Sequence, residues 1–146
     1  MTEVQFHVNL PDRMHYTCRL LRKALRQGAR VAVTGSADAL SELDLALWTF
    51  EAEAFLPHLR VDAAAQPSAA QTRAPLWLVE DARLGALLPV LVNLGHDMAA
   101  GFGSYQRVIE IVADDDASRL AARDRWREYV AQGYAPVKHE SAGVGQ

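Results

Sequence analysis

The sequence predicts an α/β protein: a three-layer sandwich on a sheet of about five or more strands, mostly parallel or mixed. Three observations predict it. Strand-like and helix-like stretches alternate through the first half of the chain, which implies right-handed crossovers and parallel pairing. Further strand-like runs in the second half are followed by a long amphipathic stretch near the end. Half of the 146 residues are apolar and 23% are charged, a composition that supplies a real core at this length.

The elements follow in order. Residues 3–10, EVQFHVNL, alternate, with Val4, Phe6, Val8 and Leu10 on one face and Glu3, Gln5, His7 and Asn9 on the other, the period of a strand. Pro11-Asp12 breaks it and starts a helix from Met14 to Gln27, where Cys18, Leu21, Ala24 and Leu25 recur at helical spacing and Gly28 closes the end. Residues 30–34, RVAVT, read as a short buried strand. Gly35-Ser36 turns the chain, and Ser36 or Asp38 caps a second helix that runs to Trp48. The stretch 60–74, rich in Ala, Gln, Ser and Pro, reads as a loop. Residues 75–80, PLWLVE, are a third strand, and 87–94, LLPVLVNL, a fourth, in which Pro89 marks a sheet edge or a strand start. Residues 105–113, YQRVIEIVA, are a fifth. Asp114, Asp115 and Asp116 then suit the positive end of a final helix, 117–132, stopped by Gly133. Residues 1–134 are expected to form a single domain and 135–146 a flexible tail, with no internal repeat.

Composition narrows the function. The net charge of −3 argues against a general nucleic-acid binder and against direct DNA contact. The single cysteine, Cys18, excludes an intrachain disulfide and multi-cysteine metal sites. The first residues, MTEVQFHVNLPDRM, do not follow a basic start with an apolar run, and no apolar stretch approaches the ~20 residues that span a membrane. A cytoplasmic location is the expectation.

Catalytic patterns do not assemble. The turn VAVTGSADAL lies where a phosphate-binding turn would lie, but it carries neither G-x-G-x-x-G nor G-x-x-x-x-G-K-[ST]. The fold is therefore Rossmann-like without a nucleotide-binding motif, and Gly35 reads as a glycine the turn requires. A small nucleotide-binding enzyme using Gly35-Ser36 is the alternative from another functional class. His7, His15, His58, His96 and His139 form no i,i+4 pair, and Cys18 on an apolar helix face reads as a small core residue. No serine sits in a G-x-S-x-G elbow. No catalytic residue, cofactor or metal is expected.

Two constellations stand out. Residues 47–58, LWTFEAEAFLPH, place Trp48, Phe50, Phe55 and Leu56 at a helix end and the loop after it. Such aromatics either fold back onto the core or anchor a partner, and spacing alone leaves both open. In the last helix Arg119, Arg123 and Arg127 form an i, i+4, i+8 row beside Trp126 and Val130. Residues 117–131 carry net +2, which leaves −5 on the rest of the chain. A basic stripe with an aromatic beside it suits a small acidic ligand or peptide, because arginine clamps carboxylates through two hydrogen bonds. A solvated face whose long stems cover the core is the competing reading.

At these two stretches the sequence resembles the chi subunit of bacterial DNA polymerase III holoenzyme. The resemblance covers nearly the whole chain in element order. It includes the opening FHVNL and a first helix whose cysteine precedes its closing glycine by ten positions. L-W-x-F-x-x-x-x-F-L-P-H at 47–58 is its most specific part, followed by RLAARDRWREYVAQGY at 119–134. The resemblance implies a non-catalytic adaptor that binds the acidic C-terminal tail of single-stranded DNA-binding protein, SSB, and the psi subunit, which ties it to the clamp loader. It implies an SSB-tail site at Val112, Arg123, Trp126 and Arg127, with Trp126 where tyrosine is common and Arg127 where lysine is common. Arg119 joins this set from the helical row. Trp48 and Phe55 would anchor psi or, in some relatives, a helicase of the XPD/DinG type. DNA would be reached indirectly, through SSB, in replication.

Overall fold

The computed structural model describes residues 2–50, 57–61, 74–85 and 88–140. Seven strands and three α-helices alternate in these segments: β1 (Glu3–Leu10), α1 (Arg13–Arg26), β2 (Val31–Thr34), α2 (Ala37–Thr49), β3 (His58–Val61), β4 (Leu76–Val79), β5 (Val90–Asn93), β6 (Arg107–Ala113), α3 (Asp116–Ala131) and β7 (Val137–Glu140). The strands form one open sheet in the order β3-β4-β2-β5-β6-β1-β7. Every pairing is parallel, so the mixed option is not realised.

The helices begin and end where side chains can satisfy the terminal backbone groups. Asp12, Ser36 and Asp115 cap α1, α2 and α3, each accepting a hydrogen bond from the amide three residues on, at 3.0, 3.1 and 2.9 Å. Past α1 the chain turns at Gly28, φ +83°, a conformation glycine adopts without a Cβ penalty. β2 and β4 are buried at every position, as expected of parallel strands covered on both faces. One face carries α1 and α2, whose Cys18, Leu21, Leu40, Leu43 and Leu47 pack on Val33, Leu78, Val92 and Ile111. The other carries α3 and two short 3-10 turns, with Ala122, Tyr129, Phe102 and Ala82 against Phe6, Leu91, Val108 and Val112.

Three expectations are revised, and the alternative left open at Pro89 is resolved. The alternation of β1 breaks at Asn9, φ 59°, where the pairing with β6 shifts register. Asparagine tolerates this left-handed backbone, and Leu10 consequently packs with the α1–α2 core instead of beside Val4 and Phe6. Pro89 precedes β5, which lies between β2 and β5's other neighbour β6, so the proline marks a strand start in the sheet interior. Residues 58–61, read as the end of one loop and the start of another, form the edge strand β3. Residues 137–140, assigned to the tail, form β7 alongside β1. The remainder of the tail, 141–146, and most of the expected loop, 62–73, lie outside the described residues.

Candidate functional site

The positions of α3 that face the sheet set those that face outward. Ala122, Arg125 and Tyr129, one turn apart, are buried. Arg125 and Tyr129 reach Glu110, which stands between Val108 and Val112 on β6 and is 0% exposed. The Arg125 Nε donates to Glu110 Oε1 at 2.9 Å, and the Tyr129 hydroxyl donates to Oε2 at 2.6 Å. Asn93 Nδ2 adds a hydrogen bond to Oε1 at 3.0 Å, and Arg125 Nη1 also donates to the His96 carbonyl at 2.6 Å. Burial pushes the Glu110 carboxyl up, against the pull of Arg125, Tyr129 and Asn93. Burial, reinforced by the negative charge of Glu110, raises the Tyr129 hydroxyl. An ion pair this deep is costly unless its hydrogen bonds are complete, and here no buried side-chain polar atom among the described residues lacks a partner.

With Arg125 held inward, Arg119, Arg123 and Arg127 stand on the exposed side of α3. They border a cleft of about 520 Å³ between α3 and the β6-β1-β7 edge. All five residues expected at the tail site line it: Val112, Arg119, Arg123, Trp126 and Arg127. Phe6, Val8, Val112 and Ala122 supply apolar surface. Trp126 is fixed against Phe6, with ring centroids 5.1 Å apart. Arg119 contacts Asp116 at 3.5 Å in an exposed pair, an interaction worth little in water. Arg123 and Arg127 have no carboxylate partner among the described residues. The sequence reading missed Phe6, Val8, Asn9 and Lys138, which β1 and β7 bring to the same cleft. It also missed the burial of Arg125, although a glutamate amid the apolar run RVIEIVA signals a buried cationic partner. The cleft pairs an apolar surface with a cationic border, which suits a short anionic chain ending in an apolar group.

The second constellation divides. Trp48 on α2 is 58% exposed and meets the His58 ring edge-on at 5.4 Å. Leu45, one turn earlier, is 66% exposed. Phe50 packs half-buried against His15, with the Arg22 guanidinium 5.1 Å from its ring centre. Phe55 and Leu56 lie outside the described residues. His58 is held by Asp44 at 2.6 Å.

The Gly35-Ser36 turn lines a cleft of about 490 Å³, but close packing leaves little room for a side chain at Gly35. A Cβ at Gly35 would stand 3.2 Å from Leu94 Cβ, and the Ser36 hydroxyl is spent on its own helix. Glu80, Asp81 and Asp97 line this cleft, with Arg83 turned onto Asp81 at 2.7 Å, so acidic groups outnumber basic ones there. Cys18 is fully buried, and burial pushes its thiol up to about 11, as for an inert core cysteine. No helix among the described residues is long and apolar enough to cross a membrane.

Comparison with known proteins agrees with the resemblance. Residues 1–137 match the family described as "DNA polymerase III chi subunit, HolC". The chain is 37% identical over 145 residues to DNA polymerase III subunit chi of Pseudomonas aeruginosa, covering 95% of this chain and 96% of that one. It is 28% identical over 119 residues to the subunit of the same name from Haemophilus influenzae, covering 80% and 79%. The chain belongs to the family of DNA polymerase III chi subunits, accessory and not catalytic components of that polymerase.

Proposed function

We propose that this chain is a replisome adaptor whose α3 cleft binds the acidic C-terminal tail of SSB and whose α2 surface links it, through psi, to the clamp loader. The observation that carries the reading is the cleft itself. Val112, Arg119, Arg123, Trp126 and Arg127 converge on it, and Arg123 and Arg127 lack carboxylate partners among the described residues. Arg123 and Arg127 would meet the tail's aspartates and its terminal carboxylate through paired hydrogen bonds. Trp126 and Val112 would receive its terminal phenylalanine. Trp48, with Leu45 beside it, is the exposed apolar surface that supports docking of psi or of an XPD/DinG-type helicase.

Titration with a peptide copying the SSB C-terminus tests the tail site. Trp126 fluorescence should report saturable binding that weakens as salt screens the charges. Binding should be lost with a peptide lacking the final phenylalanine, and should fall about tenfold or more in Arg123→Ala, the scale of a charged hydrogen bond. Circular dichroism melting should be unchanged in that variant. Equal affinity in Arg123→Ala and Arg127→Ala would remove the tail from this cleft.

A further inference from the structure

A second groove, about 720 Å³ and larger than the α3 cleft, lies between α1 and the first residues of β2, β5 and β6. Its lining includes Arg19, Arg22, Lys23, Arg26 and Arg107, and among the described residues no aspartate or glutamate, although Arg107 pairs with Glu3 at 3.2 Å. That bias is strong in a chain of 15 basic and 18 acidic residues. The overall charge of −3 conceals it: residues 12–30 hold six arginines or lysines against one aspartate, net +5, which leaves −8 on the remainder.

Arg19, Arg22, Lys23 and Arg26 stand at i, i+3, i+4 and i+7, neighbours on one helix face, where like charges oppose each other. Lys23 and Arg26 complement the negative end of the α1 dipole, and the Arg22 guanidinium also lies over the Phe50 ring. Rings adjoin the cations. Tyr16, His7 and His139 line the same groove, and the exposed His139 stacks on His7 with centroids 4.7 Å apart. A cationic row beside aromatic rings is the arrangement that holds a single strand, because phosphates meet the charges and bases stack on the rings. An acidic peptide would use the charges alone, whereas a single strand would also use the exposed His139 ring as a stacking surface. At 1.5 Å per residue the row extends about 10 Å, room for about two or three phosphates of a single strand.

We infer that the α1 groove binds the phosphate backbone of a single-stranded polynucleotide directly, at a surface separate from the α3 cleft. β7 divides the two: Lys138 lines the cleft, and its neighbour His139 lines the groove.

Fluorescence anisotropy of a labelled oligothymidine of about 20 nucleotides with the full chain tests this. Saturable binding is expected at about 20 mM salt, with log K falling against log salt at a slope of about −2, for ~0.7 per phosphate over about three contacts. The double variant Lys23→Ala/Arg26→Ala should bind at least about fivefold more weakly, and Lys23→Ala alone about twofold. Both residues are exposed, so circular dichroism should show a folded chain. The charge-preserving exchange Lys23→Arg/Arg26→Lys should retain affinity. Arg123→Ala should also retain it, which keeps this result independent of the α3 cleft. No saturable signal at low salt would overturn the proposal, as would equal affinity in the double variant. A polyglutamate peptide that binds while the oligonucleotide does not would assign the groove to an acidic protein segment instead.

Discussion

The two faces of the sheet are closed by different means. On the α1–α2 side, Leu21, Leu40, Leu43 and Leu47 are at most 1% exposed and pack on the valines and leucines of β2, β4 and β5. Such a seam asks chiefly for volume, and hydrophobic side chains of similar size can exchange within it at modest cost. On the α3 side the contact centres on Glu110, which accepts hydrogen bonds from Arg125 and Tyr129, one turn apart on the helix. Two directional bonds fix both the rotation of α3 about its axis and its position along it. The difference shows how the outward placement of Arg119, Arg123 and Arg127 is set from beneath, by Arg125 and Tyr129.

The largest expected effect breaks this directional contact. Arg125→Ala leaves Glu110 buried and uncompensated, with an expected loss of about 3–5 kcal/mol, read as a shift of the urea midpoint. Arg125→Met combined with Glu110→Leu removes both charges and should recover part of that stability, the remainder being the cost of leaving the Tyr129 hydroxyl without its acceptor. If the network aims α3, the double variant is stable yet binds the tail peptide more weakly than the parent. Full affinity in that stable variant would show that packing of Ala122 and Tyr129 suffices to orient the helix.

The same contrast explains what could be read from the sequence. β1, β2, β4, β5, β6 and the three helices were legible because each buries a repeating apolar pattern and carries a cap or a break. β3 and β7 were not. β3 buries only Val61, and all four residues of β7 are exposed, so neither has a pattern to read. Their partners are fixed by tertiary structure: Val137 pairs with Gln5 across most of the chain. The candidate cleft was legible on α3, where an arginine row and Trp126 share one helix. Its β1 and β7 contributors, Phe6, Val8, Asn9 and Lys138, could not be joined to that row before the strand order was known. Leu10 was misassigned because a strict period of two carries no sign of the backbone inversion at Asn9.

A smaller effect distinguishes the faces by pH. His7 is the polar side chain that β1 buries beneath α1, in contact with the Tyr16 hydroxyl and stacked on His139. Burial, then the charge of His139, lowers its pKa from 6.5 to about 4. Above the ordinary value the imidazole is neutral whether the chain is folded or not. As pH falls from about 6.5 to about 4, the unfolded chain takes up a proton that the folded chain refuses, and stability declines. Below about 4 both states are protonated and this loss stops growing. At roughly 1.36 kcal/mol per pKa unit, reduced because solvent reaches the His139 side, the decline is about 2 kcal/mol. Urea midpoints at about pH 7.5 and about pH 4.5 should differ less in His7→Phe than in the parent. An equal difference in both would place the acid sensitivity elsewhere, among the carboxylates.

A last comparison separates two neighbours on α2. Leu47 is 1% exposed and belongs to the apolar seam, whereas Trp48 is 58% exposed. Leu47→Ala should cost about 2–5 kcal/mol, the sum of lost transfer energy and a cavity. Trp48→Ala removes the larger side chain, yet it should cost less than Leu47→Ala, since a side chain 58% exposed gives up less buried surface. A thermal melt of each variant gives the ordering directly. The expected order is the reverse of side-chain size, which only burial can produce, and it would leave the Trp48 ring available to a partner. A Trp48 loss that matched the Leu47 loss would mean that the indole supports the fold, and the docking surface would then have to rest on Leu45 alone.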